Sequence, residues 1–156
     1  MVASGKIKGI TIEIGGNTTK LDKALQKAGE GSRDLQLELK EVNKLLKMDP
    51  TNTELLTQKQ AILKEQIKKT SDSLDILRNA EKQVQEQFEK GEITEEQYRV
   101  LKRTIASTAQ ELKQLEKEAE QTEEALKNAG KKSEDIEKLG DAMIARIEEK
   151  RAALGI

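Results

Sequence analysis

Apolar residues recur along most of the chain at alternating spacings of four and three, a pattern that predicts long helices. A sustained period of 3.5 residues is typical of helices that wind around one another as coiled coils. The first helix is predicted to begin near Thr18 or Thr19, either of which can cap it, the second near Thr53 and the third after Thr94. We call the apolar row on these helices the seam. Its members are Leu21, Leu25, Leu35, Leu39, Val42, Leu46, Leu56, Leu63, Ile67, Leu74, Leu77, Val84, Phe88, Tyr98, Leu101, Ile105, Leu112, Leu115 and Leu126.

Two short stretches interrupt the helical pattern, at residues 49–52 and 90–93. Pro50 ends the first helix because proline disfavours a helical residue before it. Thr94 and Gln97 have the spacing of a capping box, which marks a helix start. The sequence therefore predicts an N-terminal strand and turn over residues 1–17, three long helices over 18–130 and a short helix over 131–156. Gly29 and Gly31 lie inside the first predicted helix, where we expect a kink or a break.

The N-terminal segment has a different pattern, in which Ile10, Ile12 and Ile14 alternate with polar residues. Alternation of β-branched and polar residues predicts a strand, and Gly15-Gly16-Asn17 predicts the turn that ends it. A single strand leaves its backbone groups unpaired, so we expect these three isoleucines to mark a strand that pairs with another copy or with a partner protein. A frayed terminus is the alternative interpretation.

Together these patterns predict an all-α protein of long coiled-coil helices with one short N-terminal β-strand. Two arrangements are compatible with the pattern. The helices fold back at 49–52 and 90–93 into an antiparallel hairpin bundle, or they run end to end as an extended rod in which several chains bury their seams together. Short connections favour antiparallel neighbours.

Composition narrows the possible chemistry. Charged residues make up 37% of the chain and aromatic residues 1%, and the chain contains neither cysteine nor histidine. Disulfides, a thiol nucleophile, a Cys/His zinc site and imidazole catalysis are therefore excluded. Neighbouring carboxylates such as Glu95 and Glu96 point about 100° apart on a helix, so they do not imply a pocket. We expect no enzyme activity and no catalytic, cofactor-binding or metal-binding residues.

Charge and hydropathy also bear on partners. The net charge of −1 argues against a protein whose main role is to bind a nucleic-acid backbone, which requires a basic face. No run of apolar residues is long enough to span a bilayer. The seam instead indicates that the partners are other helices, and we expect the chain to form homo-oligomers.

Four stretches resemble tail tape measure proteins of siphophages and prophages of Gram-positive bacteria. They are Lys8–Leu21 (KGITIEIGGNTTKL), Leu45–Leu56 (LLKMDPTNTELL), Glu86–Tyr98 (EQFEKGEITEEQY) and Leu139–Met143 (LGDAM), and they occur in the order found in that family. The strand-turn opening and the Asp-Pro-Thr-Asn corner are more specific than the helical seams, because coiled coils resemble one another by composition.

The resemblance implies a structural role, as the N-terminal part of a protein that sets tail length and scaffolds assembly of the tail tube. It implies tail tube subunits and tail assembly chaperones as partners, and a location in the host cytoplasm during assembly and in the tail lumen of the virion. One helix over residues 18–154 would measure about 200 Å, which is short for a ruler of a long tail. We therefore expect a fragment, a truncated prophage product or a very short relative. A generic coiled-coil adaptor or chaperone-like scaffold is the alternative function.

Overall fold

The computed structural model describes residue 7, residues 9–130 and residues 133–154, except the side chains of 133–137, 139, 151 and 154. Within these residues the chain forms five α-helices and a sheet of two short strands, so it is largely α-helical with long helices, as predicted. The elements are β1 (Thr11–Ile14), β2 (Asn17–Lys20), α1 (Leu21–Ala28), α2 (Ser32–Met48), α3 (Thr53–Glu89), α4 (Glu95–Asn128) and α5 (Ser133–Leu154). The ends of the predicted segments 1–17 and 131–156, at residues 1–6, 8, 131–132 and 155–156, lie outside the described residues.

The chain divides into two compact units, and each contains parts of α3 and α4. Unit 1 comprises residues 1–30 and 69–112, which include β1, β2, α1, the second half of α3 and the first half of α4. Unit 2 comprises residues 31–68 and 113–156, which include α2, the first half of α3, the second half of α4 and α5.

The N-terminal segment is a β-hairpin, and this corrects two predictions. Gly15 and Gly16 have φ angles of 55° and 86°, so they form a two-residue turn of the type that joins antiparallel strands. The chain returns as β2, with Ile12 opposite Thr19 and Glu13 opposite Thr18. The prediction of a single strand was wrong, and so was the prediction that Thr18 or Thr19 caps the first helix, since both lie in β2 and α1 begins at Leu21.

The sequence pattern does not predict the second strand, because its residues, Asn-Thr-Thr-Lys, show no alternation of apolar and polar side chains. Threonine is also a common N-cap residue, so the two threonines before the helical pattern predict the start of the helix instead. In the structure the N-cap residue of α1 is Lys20, whose side chain makes no capping hydrogen bond. Pairing with β2 satisfies the inner edge of β1 within the chain. The Ile10, Ile12 and Ile14 strand therefore does not depend on another copy or a partner protein for its pairing.

The core of unit 1 joins the hairpin to the helices. It contains Ile7, Ile10, Ile12, Leu21, Leu25, Leu77, Ala80, Val84, Ile93 and Leu101. Here α3 and α4 run antiparallel, because Glu81 binds Lys102 and Phe88 packs on Tyr98 further along towards the connecting turn. The ring centroids of Phe88 and Tyr98 are 4.9 Å apart.

Unit 2 uses the same antiparallel geometry. Leu35 and Val42 of α2 pack with Ile62 of α3, and Leu56 of α3 packs with Leu126 of α4. Lys59 Nζ lies 3.4 Å from Glu118 Oε1. In each unit, therefore, α3 and α4 have the folded-back arrangement and not the end-to-end arrangement.

The helix boundaries follow local signals. Gly31, whose φ angle is 84°, precedes α2, so the first predicted helix is broken between α1 and α2. Asn52 Oδ1 accepts a hydrogen bond of 3.1 Å from the Leu55 N–H at the start of α3. Thr94 and Gln97 form the predicted capping box, with N–H to side-chain oxygen distances of 2.8 and 3.1 Å.

Buried threonines on α4 differ in how their hydroxyl groups are satisfied. Thr104 Oγ1 donates a hydrogen bond of 2.7 Å to the Val100 carbonyl oxygen. Thr108 is also buried, one helical turn further on, and its Oγ1 has no hydrogen-bond partner among the described residues. A buried hydroxyl without a partner costs free energy that an apolar group of the same shape does not.

We predict that Thr108→Val raises the free energy of unfolding by about 1 kcal/mol, because it removes an unsatisfied hydroxyl without changing the side-chain volume. Thr104→Val is the matched control, and it should be neutral or slightly destabilising because it removes a hydrogen bond that is made. Thermal unfolding followed by circular dichroism measures both. A loss of stability in the Thr108 variant would contradict the assignment.

Candidate functional site

The predicted seam lies inside the helical packing of the two units. Apart from Phe88, which is 37% exposed, all of its residues are buried or half-buried. Leu21, Leu25, Leu77, Val84, Leu101, Tyr98 and Ile105 join the unit 1 core, while Leu35, Leu39, Val42, Leu46, Leu56 and Leu126 join the two clusters of unit 2. Leu63, Ile67, Leu74, Leu112 and Leu115 are buried or half-buried outside these clusters. The seam is therefore used within one chain.

Several core residues lie outside the predicted seam. Ala61, Ile62 and Ala80 of α3 are buried, as are Ile7 and Ile93. For the three residues of α3, the reason is that this helix is covered on more than one side, whereas a heptad pattern identifies a single stripe. Ile7 and Ile93 lie outside the helices, where no heptad pattern applies. A small residue such as Ala61 gives no signal of burial by its size, although a row of small residues on a second face is compatible with close helix contact.

The outer edge of β1 is closed by two glutamines of α3. Gln83 Nε2 donates to the Glu13 carbonyl oxygen at 3.0 Å, and Gln83 Oε1 accepts from the Glu13 N–H at 2.7 Å. One turn along the helix, Gln87 Nε2 donates to the Thr11 carbonyl oxygen at 2.7 Å. These side-chain amides take the place of a third strand, so β1 is paired on both sides.

The two aromatic residues of the chain, Phe88 near the end of α3 and Tyr98 near the start of α4, flank the connection between these helices. Tyr98 lies between Phe88 and the Lys102 ammonium group, whose Nζ is 5.5 Å from the Tyr98 ring centroid. The hydrogen bond that Lys102 donates to Glu81, supported by the negative charge of that carboxylate, raises the pKa of Lys102. The ion pair with Glu81 thus joins α3 and α4 beside the turn.

A row of large apolar side chains remains exposed on α2. The exposed fractions of Leu37, Leu45 and Met48 are 59%, 46% and 82%. Lys40, Lys44 and Lys47 lie on the same helix and line a shallow groove with Leu39. Leu37, Leu45 and Met48 do not fall on the seam, so the heptad pattern does not identify this exposed face.

The described residues contain no cluster of acidic side chains suited to hold a metal ion. None of the helices in the described part of the chain combines the length and the apolar character that crossing a bilayer requires.

Comparison of the chain with protein-family models, with curated proteins and with solved structures finds no match.

We predict that Gln83→Ala weakens the closed edge of β1 and accelerates hydrogen exchange of the Glu13 amide about tenfold. Two hydrogen bonds are lost, each worth about 0.5–1.5 kcal/mol. Gln85→Ala is the matched control, because exposed Gln85 lies on the same helix and its side chain makes no hydrogen bond within the described residues. Residue-resolved amide exchange by NMR distinguishes the two variants, and equal exchange in both would refute the role of Gln83.

Proposed function

We propose that this chain is a structural protein of a phage or prophage tail, forming the N-terminal part of a tape measure protein. In this role it scaffolds assembly of the tail tube and belongs to the protein that sets tail length. The observation that carries the proposal is where the resembling stretches fall. Residues 8–21 cover the β-hairpin and the start of α1, 45–56 cover the α2–α3 corner, and 86–98 cover the α3–α4 corner.

Corners are informative because their sequences are not dictated by the heptad pattern. Any coiled coil requires leucines at similar spacing. It does not require a Gly-Gly hairpin, the Asp49 and Asn52 pair or the Thr94 and Gln97 capping box, and each of these makes specific hydrogen bonds in this chain. The likeness to tape measure proteins therefore rests on residues that determine tertiary structure.

The folded-back helices support a role in assembly for this segment and not the role of a ruler. A single extended helix converts residue number into distance at 1.5 Å per residue. In each unit α3 and α4 run antiparallel, so this part of the chain covers the same distance twice. We propose that it supplies an assembly surface for tail tube subunits and tail assembly chaperones, in the host cytoplasm and then in the tail lumen, while length is measured by chain beyond it.

The experiment is an in-frame deletion of codons 9–130 in the phage or prophage genome that encodes the chain. Electron microscopy of induced particles should show capsids without tails, because the proposed assembly surface is lost. Expression of the intact gene from a plasmid should restore tails of uniform length. Normal tails in the deletion strain would reject the tail function and favour the alternative of a generic coiled-coil adaptor or chaperone-like scaffold.

We also propose that copies of the chain associate through the exposed face of α2, because the seam is occupied within each unit. Leu37, Glu41, Lys44 and Met48 follow one another at spacings of four, three and four. When two such helices lie antiparallel about a twofold axis, Leu37 faces Met48 of the second copy. Glu41 then faces Lys44 of the second copy, so apolar and charged pairs are both matched.

We predict that Glu41→Lys weakens this association, because it places two positive charges opposite each other. Adding Lys44→Glu to the same chain should restore the association, because residues 41 and 44 then carry opposite charges again, with the signs exchanged. Mass measurement by light scattering at several concentrations checks both, with helix content by circular dichroism as the control for folding. A monomeric wild-type chain at all concentrations, or equal masses for the three proteins, would contradict self-association through α2.

A further inference from the structure

The two edges of the hairpin are not equivalent. Gln83 and Gln87 occupy the outer edge of β1, as described above. Glu13 uses its N–H and carbonyl for Gln83, so both groups point away from β2. In an antiparallel pair, the residue opposite such a position also directs its backbone groups outward. That residue is Thr18, so the Thr18 N–H and carbonyl point to the outer edge of β2.

The outer edge of β2 is open. Within the described residues, no hydrogen bond is made to the backbone of Thr18, and Thr18 is exposed. Lys20 lies opposite Thr11, whose carbonyl also points outward to Gln87, so the Lys20 N–H faces the same open edge as Thr18. Residues two apart on one strand present donors at the spacing that an added strand requires.

A groove of about 690 Å³ runs beside this edge, within unit 1. Its apolar lining includes Ile14 of β1, Ala24 and Ala28 of α1 and Ile76 of α3. Thr19 also lines the groove, and its Oγ1 is buried without a hydrogen-bond partner in the described part of the chain. The groove thus offers apolar contacts next to unused backbone groups.

The lysine side chains around the groove favour an occupant with negative charge. Lys20, Lys23 and Lys27 line it and are exposed, and Asp72 is the one carboxylate among the described residues that line it. A second copy of β2 on this edge would bring two sets of these lysines together, which disfavours self-pairing. An extended segment with acidic side chains would meet opposite charge.

We infer that the open edge of β2 binds an extended acidic segment of another protein by β-strand addition. Backbone hydrogen bonds to Thr18 and Lys20 supply the pairing. Small apolar side chains of the segment enter the groove over Ile14 and Ile76, and its carboxylates contact Lys23 and Lys27. This inference stands apart from the proposed tail function, since it rests on the hairpin and its groove alone.

The test uses the full chain and a fluorescent ten-residue peptide in which valine and glutamate alternate. Anisotropy should show binding of this peptide. Thr18→Pro should weaken binding about five- to tenfold, because proline removes the outward N–H, and proline is tolerated on edge strands. Thr18→Val is the matched control, because it keeps the N–H and the β-branched shape, and it should bind as the wild type does. Slow exchange of the Ile12 amide in both variants verifies that the hairpin is intact.

Two further comparisons separate strand addition from simple charge attraction. A peptide in which lysine replaces glutamate should bind the wild type at least tenfold more weakly, and Lys23→Glu with Lys27→Glu should reverse that preference. A valine-glutamate peptide with methylated backbone nitrogens at alternate residues should lose binding. In the wild type, the bound peptide should also slow exchange of the Thr18 amide.

Three outcomes would overturn the inference. They are absence of binding at millimolar peptide, equal affinity of the Thr18→Pro and Thr18→Val variants, and equal affinity of the acidic and basic peptides. A variant lacking residues 1–6 tests whether the protein's own N-terminus occupies the open edge of β2. Binding that appears only in this variant would assign the edge to the protein's own N-terminus and reject an external partner.

Discussion

The packing of α3 is the interaction on which the rest of this structure depends. One face of the helix carries seam residues such as Leu63, Leu77 and Val84, which are buried in the helical packing. A second face buries Ala61, Ile62 and Ala80. Because the chain has few bulky side chains, most helical stability must come from long stretches of such contact and not from one large core.

The same helix also determines the state of the hairpin. Gln83 and Gln87 project towards β1 beside the buried positions Val84 and Ala80, so helix packing and strand capping are coupled. A two-stranded hairpin alone is marginally stable in water. Its apolar face is covered by the unit 1 core and its β1 edge by amide side chains, which leaves the edge of β2 as the place where the sheet can be extended.

Polar residues within the packing have a consequence for specificity. Thr104 and Thr122 return their hydroxyl groups to carbonyls four residues earlier, while Thr108 and Gln60 each keep a buried oxygen without a partner in the described residues. Such residues lower stability relative to leucine, but they restrict which alignments of the helices are acceptable. In the assembly role proposed above, a single alignment of the helices would present the exposed surfaces consistently.

The sequence by itself determined the features that depend on neighbouring residues. These are the long helices, the break after Met48, the capping box at Thr94 and the turn at Gly15, because propensity, capping and turn formation act over a few residues. The tertiary structure alone decided what each surface contacts. A period of 3.5 shows which face of a helix is buried but not whether the same chain or another chain covers it. The strand β2, with no apolar alternation of its own, exists because β1 and the Gly-Gly turn supply its pairing, and Gln83 caps that sheet because folding brings together residues 70 positions apart.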